Sequence, residues 1–330
     1  MASKLIVVIG ATGNQGGSVV TTFLNEPGWK VRGISRNASS PASEKLKDKG
    51  VEVVQAHLDD TSSLVAAFEG ASAVFSVTDF WTLYSNPELQ KKVKPGQGQN
   101  ERTYEHELQH GKNVFDAASQ TAGLERLIFS HLSDATKWSK GKYKQIYHFD
   151  SKAHAVEYAK AKYPDLWEKT SLLTLGYFLS NFLDSPFLIP RKDETGTYVV
   201  ATKFETDVKF PHVAAEEDSG PFTKALLACP PGKNLIAYRA WLTMDEFLGI
   251  WSKALNVKAK AVHLPYDTVT EGLPEELDRE FTEMAQYSAE FGYEGREDPS
   301  VVHPKDLETL AKLDTVEAWI KKQDWSKVLS

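Results

Sequence analysis

The chain has 330 residues, of which 41% are hydrophobic and 25% charged, a composition typical of a soluble globular protein. Its 38 basic and 45 acidic residues give a formal net charge of −7, which argues against direct nucleic-acid binding through a basic face. The single cysteine, Cys229, excludes an intrachain disulfide and favours a buried thiol in a reducing compartment. No apolar stretch approaches the roughly 20 residues of a membrane span, so we expect no membrane binding and a cytoplasmic or nuclear location.

Strands and helices alternate through the first half of the chain. The sequence predicts strands at residues 4–9, 29–35, 51–56, 71–77, 126–129 and 171–176. It predicts helices at residues 16–24, 43–49, 62–68, 101–122 and 149–161. The strands are almost continuously apolar, as expected when both faces of a sheet are covered. This alternation predicts an α/β fold, a Rossmann-like doubly wound parallel sheet.

The pattern becomes less regular after residue 180. Strands are predicted at 197–201 and 257–262, and helices at 247–255, 275–291 and 316–322. We therefore predict a Rossmann domain at 1–180 and a smaller α/β substrate or lid region at 181–330, interleaved with the first. The long loop 84–100 and the basic loop 135–144 follow carboxyl ends of strands, where ligands bind in open α/β sheets.

The most informative motif lies between the first strand and the first helix, in the segment GATGNQGG at 10–17. A glycine turn in this position serves a dinucleotide pyrophosphate, since the helix N-terminus offers free N–H groups and a partial positive charge. Gly10 permits the tight turn and Gly13 lets the backbone approach the phosphates. Gly16 lets the helix pack closely on the strand.

The residue after the second strand indicates which dinucleotide binds. An acid there would accept from a ribose 2′-hydroxyl, whereas an arginine accommodates a 2′-phosphate. This chain has Arg36 at that position. The planar guanidinium suits a phosphate, so the sequence favours NADP(H) over NAD(H).

One motif points to a different chemistry. The segment His106-Glu107-Leu108-Gln109-His110 matches the H-E-x-x-H pattern of zinc proteases, on a predicted helix. A protease would need a third ligand and would not normally begin with a nucleotide loop. We interpret the segment as a polar helix face near the cofactor cleft and predict no metal site.

The chain resembles the NmrA-like proteins, a branch of the atypical short-chain dehydrogenases/reductases, and within them the redox-sensor type. The similarity runs over nearly the whole length. The segments that carry it are 10–19, 31–37, 51–55, 77–81, 148–152, 177–181 and 313–319.

The resemblance implies a set of cofactor contacts. They comprise the glycine loop with Thr12, Asn14 and Gln15 on the pyrophosphate, Arg36 on the 2′-phosphate, Thr78 along the ribose, Lys152 on the nicotinamide ribose, and Tyr177 and Phe178 beside the nicotinamide. The acid that usually contacts adenine after the third strand is replaced by His57, so Asp59 or the backbone is expected to serve there.

Catalysis is the open question. Conventional short-chain reductases use Tyr-x-x-x-Lys, in which the tyrosine donates a proton and the lysine lowers its pKa. Here His148 stands four residues before Lys152 and is the candidate acid, while Ser130 could orient a carbonyl. A second match begins at Tyr158, which would face away from a cofactor that contacts Lys152, so we interpret Tyr158 as structural.

Two functions therefore stay open. The first is an NADP(H)-binding redox sensor or regulator that acts through a protein partner, favoured because the catalytic tyrosine is missing. The alternative is an NADPH-dependent reductase of a small carbonyl, imine or quinone-like metabolite, favoured by the many aromatic residues that could line an apolar substrate pocket.

Overall fold

The computed structural model describes residues 3–185, 187–309 and 311–329. The strands are β1 (Lys4–Val8), β2 (Trp29–Ser35), β3 (Glu52–Gln55), β4 (Ala73–Ser76), β5 (Arg126–His131), β6 (Thr170–Leu175), β7 (Tyr177–Phe178), β8 (Arg191–Lys192), β9 (Tyr198–Thr202), β10 (Phe210–Val213), β11 (Asn234–Ala237), β12 (Ala240–Leu242), β13 (Ala259–His263) and β14 (Val301–Val302). The helices of the first half are α1 (Asn14–Leu24), α2 (Pro41–Asp48), α3 (Thr61–Phe68), α4 (Phe80–Tyr84), α5 (Pro87–Gln90), α6 (Gln99–Ala118), α7 (Ala135–Trp138), α8 (Tyr147–Lys162) and α9 (Pro164–Trp167). Those of the second half are α10 (Asn181–Asp184), α11 (Ala215–Ala228), α12 (Met244–Leu255), α13 (Glu275–Phe291), α14 (Val316–Lys322) and α15 (Ser326–Leu329), with one 3₁₀ turn at Pro304–Asp306.

Within the described residues, eight strands form one parallel sheet in the order β14-β11-β6-β5-β4-β1-β2-β3. The part β3-β2-β1-β4-β5-β6 has the strand order of a dinucleotide-binding Rossmann sheet, which confirms the predicted fold class. The order reverses between β1 and β4, so the ligand crevice of this fold lies at their carboxyl ends. Strands β11 and β14 come from after residue 180, so both parts of the sequence contribute to this sheet.

Alternation along β1 assigns its side chains to two cores. Ile6 and Val8 pack into the cluster that holds the apolar faces of α1 and α11, while Val7 packs with α3, α6 and α8 on the other face. Helices α1 and α11 approach closely. A Cβ at Gly220 would lie 2.1 Å from the Thr22 Oγ1, so only glycine fits this crossing.

The remaining strands form two three-stranded sheets, β12-β10-β7 and β13-β9-β8. They share a third core with α12, α13 and α14. The largest fully buried side chains of this core include Trp251, Trp319 and Tyr287. Cys229 is buried and free, at the end of α11. No helix in the described part of the chain is long and apolar enough to cross a membrane.

Several helices and strands were not predicted from the sequence. Helix α11 contains Gly220 and Pro221, which weaken a helical pattern, and β11 and β14 are only four and two residues long. The two predicted loops contain the short helices α5 and α7.

Candidate active site in a dinucleotide cleft

One cleft of about 1310 Å³ lies at the carboxyl ends of β1 and β4. It exceeds the roughly 300–1,000 Å³ of a pocket for a drug-sized ligand, so it has room for a dinucleotide and a second molecule. Its lining includes Gly10, Thr12, Gly13, Asn14, Gln15, Gly16, Arg36, Asp59, Thr78, Ser130, His148, Lys152, Tyr177 and Phe178. The structure therefore gathers every predicted site residue around one cavity.

The glycine loop is shaped by close backbone contacts. Gly10 has φ +71°, and a Cβ at Gly16 would lie 2.2 Å from the Gly10 carbonyl oxygen. A Cβ at Gly13 would lie 3.5 Å from that same oxygen, which is an ordinary contact. The fold itself therefore requires glycine at positions 10 and 16, whereas position 13 is free to carry a Cβ until a ligand approaches.

Two residues that line this cleft carry polar side-chain atoms without a hydrogen-bond partner. Gly13 precedes helix α1 and has no side chain to cap it. The first backbone N–H groups of the helix therefore receive no capping hydrogen bond from this position. Among the described residues, Gln15 Oε1 and Thr78 Oγ1 are buried and lack a hydrogen-bond partner. Buried polar atoms are normally satisfied, so these two atoms have hydrogen-bonding capacity that the protein itself does not use. Arg36 is exposed at the rim of the cleft, one residue after β2.

His148 is fixed by a carboxylate that the sequence did not reveal. Its Nδ1 lies 2.5 Å from Glu280 Oε1, which also accepts from the His148 backbone N–H at 3.0 Å. Asn100 Nδ2 donates to the other Glu280 oxygen at 3.0 Å. Glu280 thus holds His148 at both its backbone N–H and its ring Nδ1, so Nε2 is the ring nitrogen that takes no part in this pair.

Lys152 forms a buried ion pair on the same helix face, one turn beyond His148. Its Nζ lies 2.6 Å from Glu107 Oε1 and 3.3 Å from the His148 carbonyl oxygen. The Ser151 hydroxyl donates to the other oxygen of Glu107. The Glu107 side chain is fully buried and that of Lys152 is 9% exposed. Glu107 is thus the positioning carboxylate of Lys152, rather than a free base.

The other predicted residues differ in their surroundings. Ser130 is buried at the end of β5. Burial raises the pKa of the Tyr177 hydroxyl, which hydrogen-bonds Asn181. Tyr158 does not line the cleft, and its hydroxyl donates to Asp116 at 2.6 Å.

Asp59 lines the cleft, and its carboxylate contacts three histidines. Its Oδ1 lies 2.8 Å from His106 Nε2 and 2.9 Å from His110 Nε2, and its Oδ2 lies 3.1 Å from His57 Nδ1. Desolvation raises the pKa of Asp59, but the hydrogen bond from His110 and the three neighbouring imidazoles outweigh it and hold this pKa below its usual value. The carboxylate is therefore engaged before any adenine arrives.

Aromatic side chains surround His148. The Trp81 ring lies 5.0 Å from the His148 ring and 5.4 Å from that of Phe281, and Phe80 lies 5.9 Å from His148. Trp81 is 41% exposed despite its size. The apolar residues Phe80, Trp81, Phe204, Phe281 and Met284 all line the cleft, and they are here called the aromatic chamber. It adjoins Lys152 and would seat a flat, apolar molecule.

Some of these partners had no usable signal in the sequence. Glu280 lies 132 residues from His148, on α13, and nothing nearby marks it. Glu107 was visible only as part of the metal-like motif, where its partner Lys152 could not be inferred.

The sheet order, the crevice at its switch point and the glycine turn define a Rossmann-like dinucleotide-binding protein. A model of the NmrA-like family matches residues 2–328, and the chain belongs to that family.

Relatives in fungi carry the same family name. The NmrA-like family domain-containing oxidoreductase ptmS of Penicillium ochrochloron is 25% identical over 346 residues, covering 97% of this chain and 98% of ptmS. The oxidoreductase hkm9 of Aspergillus hancockii is 32% identical over 181 residues, covering 55% of this chain and 48% of hkm9. The match therefore spans about half the length of hkm9.

Solved structures share the fold at low identity. NmrA, a negative transcriptional regulator, in complex with NADP superposes with a TM-score of 0.72 at 18% identity, over 98% of this chain and 95% of NmrA. Triphenylmethane reductase of Citrobacter sp., complexed with NADP(H), gives a TM-score of 0.65 at 18% identity, over 96% of this chain and 99% of the reductase.

Proposed function

We propose that this protein is an NADP(H)-dependent reductase of a small apolar carbonyl, imine or quinone-like metabolite. The observation that carries the proposal is the His148–Glu280 pair, held at 2.5 Å between Lys152 and the aromatic chamber. An imidazole oriented by a buried carboxylate is a common arrangement for general acid–base work near pH 7. The names of ptmS and hkm9 as oxidoreductases support the same class of function.

NADP(H) is the cofactor that the residues of the cleft fit. NmrA was crystallised with NADP and with NAD, and triphenylmethane reductase with NADP(H). The proposed contacts are Gly10, Thr12, Gly13, Asn14, Gln15 and Gly16 at the pyrophosphate, Arg36 at the 2′-phosphate, Thr78 and Lys152 at the riboses, and Tyr177 and Phe178 beside the nicotinamide. The Lys152 ammonium has three hydrogens, of which Glu107 and the His148 carbonyl take two, leaving one for a ribose hydroxyl.

The bound cofactor would supply a hydride, and the chain would supply the proton and the geometry. His148 donates the proton from Nε2, while Glu280 stabilises the imidazolium and fixes the plane of the ring. Trp81 and Phe281 exclude water and orient a flat substrate. In this scheme residues 1–180 provide most cofactor contacts, and α13, in the segment 181–330, closes the substrate side.

The test is NADPH oxidation by the purified chain against a panel of aromatic carbonyls, imines and quinones. We expect turnover that is lost in His148→Ala and strongly reduced in Glu280→Gln. The matched control is Tyr158→Phe, which alters a second Tyr-x-x-x-Lys match outside the cleft and should retain the rate. Equal rates in His148→Ala and the wild type would refute His148 as the acid.

A redox sensor acting through a protein partner is the second candidate, favoured because His148 replaces the tyrosine of conventional reductases. A sensor must bind NADPH and NADP⁺ with different affinities, otherwise occupancy cannot shift its state. Titrations of both, with Arg36→Ala as the control, decide this point. Different affinities without turnover favour the sensor, whereas equal affinities exclude redox sensing.

A further inference from the structure

We propose that Asp59, His106 and His110 form a binding site for a divalent transition metal of the zinc class. Each offers one ligand atom, and these atoms lie within 4.8 Å of one another. Two imidazole nitrogens and one carboxylate oxygen are a donor set that zinc takes in proteins, with water completing the coordination. The site is separate from the proposed proton donor and does not depend on the proposed reductase function.

The distances between the three ligand atoms are close to those around a bound zinc ion, so binding would require only small side-chain movements. Zinc bonds to nitrogen are about 2.0–2.1 Å, so ligand atoms around a tetrahedral ion lie about 3.3 Å apart. The Asp59 Oδ1 now lies 2.8 Å from His106 Nε2 and 2.9 Å from His110 Nε2. Lengthening each of these two distances by about 0.5 Å would give the spacing of zinc ligands, and both Nε2 atoms already contact the same carboxylate oxygen.

The backbone fixes this convergence. His106 and His110 are separated by one turn of α6 and share a face, with ring centroids 4.7 Å apart. Asp59 lies on the loop between β3 and α3, and Asn113 Nδ2 ties that loop to α6 by donating to the Leu58 carbonyl at 2.7 Å. The loop and the helix are therefore held together by a bond outside the cluster, which preorganises the ligands.

The cluster is also accessible. The side chains of Asp59, His106 and His110 are 48%, 22% and 7% exposed, so one side opens to the cleft while the other is anchored. An ion can enter from the open side and keep water there. The site differs from that of a zinc protease, because the glutamate of the motif, Glu107, is buried against Lys152 and cannot act on a metal-bound water.

The experiment is calorimetric titration of the untagged 330-residue chain with Zn²⁺, with Co²⁺ absorption as the spectroscopic probe of the ligand set. We expect one ion per chain and a visible Co²⁺ band that Zn²⁺ displaces. Loss of outer-shell partners of metal ligands costs 10–100-fold in affinity. Asp59→Asn, His106→Ala and His110→Ala remove ligands themselves, so each should weaken Zn²⁺ binding by about 100-fold or more. His263→Ala, which removes a histidine elsewhere on the chain, should bind as the wild type does.

Circular dichroism establishes that each variant folds. His106 is the more exposed of the two histidines, so His106→Ala still tests the site if His110→Ala fails to fold. Zn²⁺ should raise the unfolding temperature of the wild type and not that of His106→Ala. Equal Zn²⁺ affinity in the wild type and His106→Ala, or no Co²⁺ band in the wild type, would overturn the proposal.

Discussion

The buried pair Glu107–Lys152 allows a quantitative test of the site. Glu107→Gln keeps the shape of the side chain but leaves the Lys152 ammonium, whose side chain is 9% exposed, without a counter-charge. Breaking a buried pair from one side costs about 3–5 kcal/mol, a large part of the roughly 5–15 kcal/mol that stabilises a domain. Lys152→Met should cost a similar amount, because it leaves the carboxylate with Ser151 as its remaining donor.

The double variant Glu107→Gln/Lys152→Met contains no uncompensated charge, so it should cost at least about 2 kcal/mol less than the sum of the single variants. Urea unfolding followed by circular dichroism at pH 7 gives the free energies, with the m-value as a check on the denatured state. Lys4–Glu125 is a matched control. Its atoms also lie 2.6 Å apart, but its side chains are 51% and 55% exposed, so breaking it should cost no more than about 1 kcal/mol. Additivity within about 0.5 kcal/mol at Glu107 and Lys152 would refute the ion-pair reasoning.

Two further predictions concern the turn and the buried histidines. Gly16→Ala should destabilise the chain by about 1–3 kcal/mol, because the new Cβ would clash with the backbone of Gly10. Gly13→Ala should have the stability of the wild type but lose NADPH binding. Equal stability of the two variants in thermal unfolding would contradict this prediction. Burial lowers the pKa of His131 to about 3 and that of His212 to about 4, so below about pH 6.5 the unfolded chain takes up protons first and stability falls as the pH falls. His212 alone accounts for a loss of about 3 kcal/mol in the free energy of unfolding as the pH falls from 6.5 to 4. His212→Phe should therefore make the free energy of unfolding depend less steeply on pH, and an unchanged dependence would contradict this prediction.

The sequence was sufficient wherever a function depends on neighbouring residues. The turn from Gly10 to Gly16 and the i, i+4 relation of His148 and Lys152 are local, and the structure places both in the cleft. It was insufficient for partners brought by the fold, because Glu280 reaches His148 from a helix far along the chain. The same limit applies to the metal-like motif, because the proximity of Asp59, on the β3–α3 loop, to the two histidines of α6 could not be predicted from the sequence.

Helix α6 explains how one short motif serves two sites. Successive residues of an α-helix are about 100° apart, so His106 and His110 share a face while Glu107 projects from the next one. The first face meets Asp59 on the β3–α3 loop, and the second meets Lys152 on α8. Because α6 packs between these elements, an ion bound by the histidines would hold the helix that positions Lys152, the proposed ribose contact. The glutamate of the motif is then explained by the ion pair, and the histidines by the proposed metal, without any protease chemistry.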